Sequence, residues 1–346
     1  MASSSLFSIC IPAYNRARHL PALLDSILSQ EFTGFDIVIC EDQSPERNQI
    51  RTIVDRYAEA HRGIFAYHEN EMNLGYDGNI RQLVKQATGE FCFFMGNDDL
   101  MCPGALATVA AVIRRHPDVG LVLKSYAWFD YTPDNVNQAV RYFKQERRFE
   151  AGREAVTVCY RRSGVISGYV VRREPALAAS TDRFDGTLYY QMHLTANVLA
   201  EAPAVFTPEV LVLCRNGEPP EFGNSSREKG KFVPGGYTPQ ARLNMVQGVL
   251  TIIKDFKSSR GIDLVADVQR DYANYFYVYI KDQLDLPLPE FFKLYWAYGK
   301  MGFFKYPMFH LYCMAAYLLG EKRFDRLTKI IRERLGHSPR FGVVSK

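Results

Sequence analysis

Short apolar runs alternate with stretches whose apolar residues recur every three or four positions through the first 125 residues. The runs are typical of buried strands, and the periodic stretches are typical of helices that pack on a sheet. The predicted strands are Leu6–Ile11, Phe35–Cys40, Ile64–His68, Gly89–Met95 and Val119–Lys124, and the predicted helices are His19–Gln30, Gln49–Arg62, Asp77–Ala87 and Pro103–His116. This order predicts an α/β fold with a mostly parallel sheet flanked by helices.

The pattern weakens after residue 125. Residues 126–163 are polar and irregular, and the segments that follow predict a strand at Val165–Val171, a helix at Leu188–Ala200 and a strand at Ala204–Leu213. Residues 215–240 are then rich in Gly, Pro, Ser and charged residues, a composition that favours a long loop. We therefore divide the chain into an α/β domain at 1–215, a mobile loop or hinge at 216–240 and a helical C-terminal region at 241–346, with helices at Gln240–Lys257 and Asp263–Lys281.

Composition narrows the class of protein. The chain has 346 residues, of which 47% are hydrophobic, and its net charge of +4 gives no indication of nucleic-acid binding. Its seven cysteines form no CxxC pair, so we expect reduced, buried thiols and a cytoplasmic protein. The N-terminus does not resemble a signal peptide, and no apolar run reaches the roughly 20 residues that a membrane span needs.

Acidic residues follow the fourth predicted strand as Asn97-Asp98-Asp99. Ligands bind at the carboxyl ends of strands in such sheets, so side chains there are candidates for chemistry. Two adjacent carboxylates repel each other, and a divalent cation such as Mn²⁺ or Mg²⁺ would compensate them and neutralise a diphosphate leaving group. The competing interpretation is a turn or helix cap before Pro103.

Three further polar segments stand at equivalent places. Pro12-Ala13-Tyr14-Asn15-Arg16 follows the first strand, Glu41-Asp42-Gln43-Ser44 follows the second, and Asn73-Leu74-Gly75-Tyr76-Asp77-Gly78-Asn79 opens the helix before the acidic strand. An acidic residue after the second strand can accept hydrogen bonds from a base or ribose, and glycines allow close approach of a ligand. Ordinary loop caps and turns would explain each segment equally well in isolation.

In their order and spacing, IPAYNR, EDQS, NLGYDGN and GEFCFFMGNDD resemble the nucleotide-sugar domain of family 2 glycosyltransferases. The resemblance covers residues 5–125 well and 160–215 loosely. It implies a GT-A fold for 1–215 and an inverting transfer of a sugar from a nucleotide-diphosphate donor. The acceptor would be a saccharide or a polyprenyl-linked saccharide in bacterial surface polysaccharide synthesis.

The resemblance also assigns roles to residues. It implies that Asp99 is the metal ligand for Mn²⁺ or Mg²⁺, although Asn97 replaces the first carboxylate of the family's motif. Asp42 would recognise the base, and Arg215 would bind the diphosphate. The full set of residues implied to bind the nucleotide sugar is Pro12, Ala13, Tyr14, Asn15, Arg16, Asp42, Asn73, Gly75, Asn79, Asn97, Asp98 and Arg215. Gly217 stands where the family often has a histidine, so we expect no histidine ligand there.

An inverting enzyme needs a carboxylate that deprotonates the acceptor hydroxyl. The family often places it near the start of a helix that here reads GTLYYQMHL, without the usual acidic pair. The nearest carboxylates are Asp185, which we favour, and Asp182. Either could simply cap the helix, and Gln191 or His193 could approach the site instead.

Aromatic residues and lysines fill Leu286–Leu319, and eight Lys or Arg against three Asp or Glu follow from Glu321 onward. Such a segment favours either a packed core or peripheral binding to an anionic membrane surface, here the inner face of the cytoplasmic membrane. Two other functions stay open. A nucleotidyltransferase usually has a glycine-rich loop after its first strand, which is missing here. An inactive nucleotide-sugar-binding protein would bind a donor without turnover.

Overall fold

The computed structural model describes residues 5–327 and 340–342. The strands of these residues are β1 Phe7–Ala13, β2 Phe35–Glu41, β3 Phe65–Glu69, β4 Phe91–Phe94, β5 Leu100–Met101, β6 Leu121–Phe129, β7 Val136–Arg141, β8 Arg147–Phe149, β9 Tyr169–Arg172, β10 Ala204–Arg215 and β11 Arg340–Gly342. They form one sheet, in which β3, β2, β1, β4, β9, β6, β7 and β11 lie side by side in that order, and β10 pairs with β5, β6 and β8.

Helices cover the sheet and extend beyond it. They are α1 Leu20–Leu28, α2 Arg47–Ala60, α3 Gly75–Gln86, α4 Ala105–Arg115, α5 Arg153–Arg162, α6 Arg173–Ala178, α7 Tyr190–Leu199, α8 Pro239–Arg260, α9 Val265–Ala273, α10 Leu288–Lys300 and α11 Pro307–Leu319. Short 3₁₀ turns occur at Ala17–His19, Phe276–Tyr279, Lys281–Gln283 and Phe303–Lys305.

The α/β class is confirmed, but the sheet is mixed. β1 pairs in parallel with β2 and β4, and β2 pairs in parallel with β3. β9 runs antiparallel between β4 and β6, and β7 is antiparallel to β6. The expected parallel pairing therefore holds among β1 to β4 and between β6 and β10, whereas β7 and β9 make the sheet mixed. Strands buried on both faces explain the near-continuous apolar runs there, since all side chains of β4 are buried.

The irregular stretch 126–163 contains more structure than its polar pattern indicates. β6 extends to Phe129, and β7, β8 and α5 follow within this stretch. In β7 and β8 exposed and buried positions are mixed, so neither strand presents the apolar run that identifies a buried strand. The predicted helix Asp263–Lys281 is also shorter than expected, because α9 ends at Ala273 and 3₁₀ turns continue the chain.

The C-terminal region is helical, as predicted. α8 begins where the Thr238 hydroxyl accepts the N–H of Ala241 at 3.1 Å, with proline at the first helical position, and ends at Gly261 with a φ of 72°. Aromatic rings form the interior beyond α8, and Phe276 meets the rings of Tyr298 and Phe309 edge to face. Much of the aromatic segment is therefore packed core.

Other aromatic and aliphatic side chains of this region face outward. An apolar groove between α10 and α11 has a volume of about 290 Å³. Exposed residues on these two helices include Leu288, Phe292, Trp296, Leu311, Met314 and Leu318. Across residues 5–327 and 340–342, no helix has the length and hydropathy needed to cross a membrane. Four of the eight basic residues counted from Glu321 onward fall outside the described residues.

Candidate active site

One large cleft, with a volume of about 1010 Å³, opens at the carboxyl ends of β1, β2 and β4. The chain reverses direction after each of these strands, which brings polar segments far apart in the sequence to one edge of the sheet. Eleven of the predicted site residues line the cleft: Pro12, Tyr14, Arg16, Asp42, Asn73, Gly75, Asn79, Asn97, Asp98, Asp99 and Arg215. Of the other predicted residues, Ala13 is buried within β1, and Asn15 donates its amide to Glu221 at 3.2 Å.

Asp42 anchors one end of the cleft. Its carboxylate accepts the N–H groups of Leu74 at 2.8 Å and Gly75 at 2.9 Å, together with the amide of Asn70 at 2.8 Å. Burial raises the pKa of Asp42 to about 6, although these hydrogen bonds favour the ionised form and oppose the increase. Asp42 thereby holds the turn before α3 against the end of β2.

Asn79 and Gly75 complete this end of the cleft. Asn79 donates to the carbonyl of Cys40 at 3.0 Å, which ties α3 to β2. Gly75 has a φ of +77°, and a side chain there would meet the Ser225 hydroxyl at 2.4 Å. Glycine is therefore required both by the left-handed backbone and by the close approach of the loop after β10.

Asp98 and Asp99 form the acidic centre of the cleft. Asp99 accepts the backbone N–H of Arg215 at 2.7 Å and a short hydrogen bond from the Ser167 hydroxyl. Burial and the neighbouring Asp98 charge raise the pKa of Asp99 to about 7. Asp98 forms an ion pair with Arg16 at 2.5 Å. One carboxylate is thus paired with an arginine, while the other has no cationic partner in direct contact among the residues that the structure describes.

Arg16 and Arg215 supply positive charge on opposite sides of this pair. Arg16 adopts a left-handed backbone with a φ of 60° and also donates to the carbonyl of Pro219 at 2.7 Å. Arg215 lies at the end of β10, and its Nε donates to the carbonyl of Asp98 at 3.1 Å. Asn97 donates to the carbonyl of Asn15 at 2.8 Å, which fixes the two strand ends against each other.

The loop after β10 lies across the cleft. Glu218 contacts Arg18 at 2.9 Å and His19 at 3.0 Å, which ties the loop to the segment after β1. Glu228 is buried and accepts the N–H groups of Tyr76 and Gly223 at 2.8 and 2.9 Å. The loop predicted at 216–240 is therefore present as irregular structure, and its acidic side chains dock it over the predicted nucleotide site.

The predicted base residues lie elsewhere. Both Nη groups of Arg81 donate hydrogen bonds to the carboxylate of Asp185. The Asp185 side chain is only 7% exposed, and Asp185 is not among the residues that line the cleft. Asp182 is exposed on the surface. At the start of α7 the cleft is lined instead by Leu188 and Tyr189. This geometry argues against a base at Asp185 or Asp182, because the ion pair with Arg81 engages the favoured carboxylate outside the cleft.

Gln191 and His193 are also not among the residues that line the cleft. Gln191 donates to the carbonyl of Gly164 at 3.2 Å, and His193 contacts the carbonyl of Ala179 at 2.7 Å. No motif indicated Ser167, whose hydroxyl donates to Asp99: it falls within the predicted strand Val165–Val171, but β9 begins only at Tyr169 and Ser167 lies in the irregular segment before it. Its role depends on a contact between residues 68 positions apart.

The mixed α/β sheet and its flanking helices form the fold of GT-A glycosyltransferases. Residues 8–170 match the family model described as Glycosyl transferase family 2. This segment, slightly less than half of the chain, therefore has the sequence features of family 2 glycosyltransferases, as the sequence motifs predicted.

Relatives of known sequence agree with this assignment. The abequosyltransferase RfbV of Salmonella typhimurium is 33% identical over 116 residues, which are 34% of this chain and 35% of that protein. The poly(ribitol-phosphate) beta-N-acetylglucosaminyltransferase TarS of Staphylococcus aureus is 33% identical over 121 residues, 34% of this chain and 20% of TarS. The matching segment thus spans about a third of the first relative and a fifth of the second.

Solved structures confirm the fold over a longer range. Residues 1–349 of S. aureus TarS in complex with UDP-GlcNAc superpose with a TM-score of 0.60 and 18% identity, covering 98% of this chain and 94% of that one. The mannosyltransferase PcManGT of Pyrobaculum calidifontis, in complex with GDP-Man and Mn²⁺, gives a TM-score of 0.52 and 15% identity, covering 92% and 86%.

Proposed function

We propose that the chain is a metal-dependent, inverting glycosyltransferase that moves a sugar from a nucleotide-diphosphate donor to a saccharide or lipid-linked saccharide hydroxyl. One observation carries the proposal: a single cleft at the strand ends holds a buried carboxylate, an adjacent pair of carboxylates and two arginines. These are the groups needed to bind a base, a metal ion and a diphosphate, respectively.

The donor would lie along the strand ends. Pro12, Tyr14 and Asp42 would contact the nucleobase, and Arg16 and Arg215 would bind the diphosphate. Arginine suits this task because its planar group donates two parallel hydrogen bonds to phosphate oxygens. The two solved relatives support a donor of this class, since one was crystallised with UDP-GlcNAc and the other with GDP-Man.

Asp99 and Asp98 would hold Mn²⁺ or Mg²⁺. Among the described residues, no three His, Cys, Asp or Glu side chains form a group that could bind a metal by themselves. Two carboxylates still fit, because Mg²⁺ is commonly held by one or two carboxylates together with substrate phosphates and water. The raised pKa of Asp99 marks a buried negative charge that a cation would stabilise. The metal would neutralise the departing diphosphate.

The base for an inverting transfer is expected among the carboxylates that line the cleft. Glu228 accepts two backbone N–H groups and Asp282 is held by Arg242, so both already have structural partners. Glu221, on the loop over the cleft, accepts one amide of Asn15 at 3.2 Å. We propose Glu221 as the first candidate, with Glu221→Gln expected to lower kcat by more than about a hundredfold.

The donor reaction is tested with a panel of nucleotide sugars, with and without Mn²⁺, for the wild type and Asp99→Asn. We expect one donor to be hydrolysed slowly by the wild type in the presence of metal, and not by Asp99→Asn. Binding without any turnover would favour the inactive nucleotide-sugar-binding protein, an alternative suggested by the absence of a carboxylate at Leu188 and Tyr189. No binding of any donor would overturn the proposal.

Assembly of a bacterial surface polysaccharide at the inner face of the cytoplasmic membrane is the proposed setting. A relative from Campylobacter jejuni, named GalNAc(5)-diNAcBac-PP-undecaprenol beta-1,3-glucosyltransferase, is 28% identical over 102 residues. The exposed apolar side chains of α10 and α11 would lie against an anionic lipid surface, with Phe292 54% and Leu318 79% exposed.

Flotation with phosphatidylglycerol vesicles tests this contact. We expect the wild type to float with the vesicles and Phe292→Ser/Leu318→Ser to remain at the bottom. Tyr131→Ser is the matched control, because Tyr131 is a similarly exposed aromatic residue remote from α10 and α11 in the sequence, at 90% exposure. Equal flotation of both variants would exclude this surface as the membrane contact.

A further inference from the structure

The cleft continues beyond the donor site into a second region with a different lining. There its walls come from β6 and β7, the end of α5 and the 3₁₀ turns after α9. Aromatic side chains line it at Tyr126, Trp128, Tyr142, Tyr275 and Tyr279. We name this region the aromatic end of the cleft. Rings of this kind pack against the apolar faces of sugars, so its size and lining suit the acceptor.

Two adjacent arginines lie in the wall of the aromatic end. Arg161 and Arg162 both line the cleft, with side chains 15% and 12% exposed. Both donate to the carboxylate of Asp271 in α9, at 2.8 Å from Arg161 and 3.2 Å from Arg162. Asp271 is not among the lining residues, so it holds the arginines from behind.

The two guanidinium groups retain donors that Asp271 does not satisfy. Within the described residues, Nη2 of Arg161 and Nε of Arg162 are buried and make no hydrogen bond. Buried donors on charged groups are costly to leave unpaired, so each of these two atoms calls for a partner that the described residues do not supply. Arg161 also lies 3.9 Å from the centre of the Tyr275 ring, which fixes the plane of its guanidinium.

The charges around the arginines leave the aromatic end positive. Its described lining also includes Lys281, Arg242, Asp282 and Asp325. Arg242 and Asp282 pair with each other, Asp271 offsets one of the two arginines, and Lys281 and Asp325 carry opposite charges, which leaves one positive charge in excess. An anion bound here would therefore meet excess positive charge in a partly desolvated site, where charge-assisted hydrogen bonds are strong.

The arginines are connected directly to the metal site. Five residues after Arg162 the chain reaches Ser167, whose hydroxyl contacts Asp99. The segment between them is held by the buried Lys124, whose ammonium group donates to the carbonyl of Val165. An acceptor bound by the arginines would thus extend along this segment toward the sugar of the donor.

We propose that Arg161 and Arg162 bind a phosphate group attached to the acceptor sugar, so that the enzyme selects phosphate-bearing acceptors over neutral ones. This inference rests on the proposed function and names the chemical class of its acceptor. Two adjacent guanidinium groups match the oxygens of a phosphate better than a neutral hydroxyl does, because arginine binds phosphate through parallel N–H donors. The phosphate could belong to a lipid-linked sugar diphosphate or to a phosphodiester polymer.

Trp128 provides a direct measurement. The chain has two tryptophans, and the other, Trp296, lies on the exposed face of α10. In a Trp296→Phe background, fluorescence reports on the aromatic end alone. The donor site is first filled with Mg²⁺ and the nucleoside diphosphate found in the donor screen. N-acetylglucosamine 1-phosphate and methyl N-acetylglucosaminide are then titrated as the charged and neutral probes.

We expect the phosphorylated sugar to change Trp128 fluorescence saturably and to bind at least tenfold more tightly than the methyl glycoside. Arg162→Gln and Arg161→Gln should each weaken it by at least about tenfold, since each removes a charged donor. Arg153→Gln is the matched control, because Arg153 pairs α5 with Asp267 of α9 in the same way but does not line the cleft. If Arg161→Gln does not fold, Arg161→Lys replaces it in this test, because lysine keeps the positive charge but lacks the parallel N–H donors of arginine.

Equal affinity for the two sugars, or unchanged affinity in both arginine variants, would overturn the proposal. If the expected binding is found, a farnesyl-diphosphate-linked sugar and an oligo(glycerol phosphate) are each titrated in competition with the phosphorylated probe. The competitor that binds more tightly identifies the source of the phosphate. Failure here is distinguishable from failure of the proposed function. Metal-dependent donor hydrolysis would persist if only the acceptor assignment is wrong, whereas the titration without nucleotide would still succeed if only the donor assignment is wrong.

Discussion

Neutralising Asp99 should stabilise the protein in the absence of metal, although it should abolish activity. In Asp99→Asn the remaining oxygen can still accept the N–H of Arg215, and the new amide can donate to the Ser167 hydroxyl. The substitution therefore keeps the shape and both hydrogen-bonding contacts of the side chain. It removes one of two adjacent negative charges from a buried position.

The magnitude follows from the pKa of Asp99, which rises from 3.8 to about 7 on folding. At about 1.4 kcal/mol per pH unit, this difference amounts to at most about 4 kcal/mol. Below pH 3.8 the carboxyl is protonated in both states and costs nothing. Between pH 3.8 and 7 the unfolded chain loses its proton first, so folding stability falls. Above pH 7 the full cost is present, and Asp99→Asn should be free of it.

Urea unfolding at pH 8 with EDTA measures the effect. We expect Asp99→Asn to unfold at a higher urea concentration than the wild type, and the gap to narrow at pH 5. Asp118→Asn is a control of opposite sign, since an ion pair with Arg148 lowers the pKa of that surface carboxylate. Addition of Mn²⁺ and donor should then stabilise the wild type only. A variant less stable than the wild type at pH 8 would show that Asp99 is a structural acceptor, as in a turn or cap, and would refute the reasoning.

Three other results are expected. Asp185→Asn should lower stability, because it removes the ion pair with Arg81, and should leave kcat within about tenfold of the wild-type value. A fall in kcat of more than about a hundredfold at unchanged KM would instead identify Asp185 as the catalytic base. Gly75→Ala should lower both stability and nucleotide affinity, because the new side chain would collide with Ser225. Gly63→Ala is the control: Gly63 has a similar φ of +88° and no neighbour within 4 Å, so the substitution should cost only backbone strain of about 1–2 kcal/mol. Mn²⁺ without nucleotide should raise the melting temperature by less than Mn²⁺ with nucleoside diphosphate, since two carboxylates alone make a weak site; equal shifts would contradict a shared metal site.

The gathering of the proposed donor residues in one cleft was predictable from the sequence, because these residues directly follow buried parallel strands. The runs ending near Pro12, Cys40 and Met95 identify three neighbouring strand ends, and topology alone brings those ends together. Residues whose position depends on a distant partner were not predictable. Asp185 lies near the expected helix in sequence, but it is placed by Arg81, 104 residues away. No local pattern indicates such a pair.

The two arginines proposed to bind the acceptor were not predicted, for a related reason. Arg161 and Arg162 end a helix in a stretch whose polar pattern gave no regular element, and basic residues at a helix end are ordinarily explained by the helix dipole. Their orientation depends on Asp271, which belongs to a helix beyond the loop after β10.

The C-terminal region consequently has two proposed roles that its aromatic composition does not separate. Tyr275, Tyr279 and Lys281 form part of the cleft wall, whereas Phe292 and Leu318 face outward on α10 and α11. The same region would thus complete the acceptor site and contact a lipid surface. An acceptor carrying both a phosphate and a lipid would meet the two surfaces together, so the arginine and flotation variants should impair transfer to such an acceptor independently. If Phe292→Ser/Leu318→Ser weakened transfer to a water-soluble phosphorylated sugar as strongly as to a lipid-linked one, the two roles could not be separate.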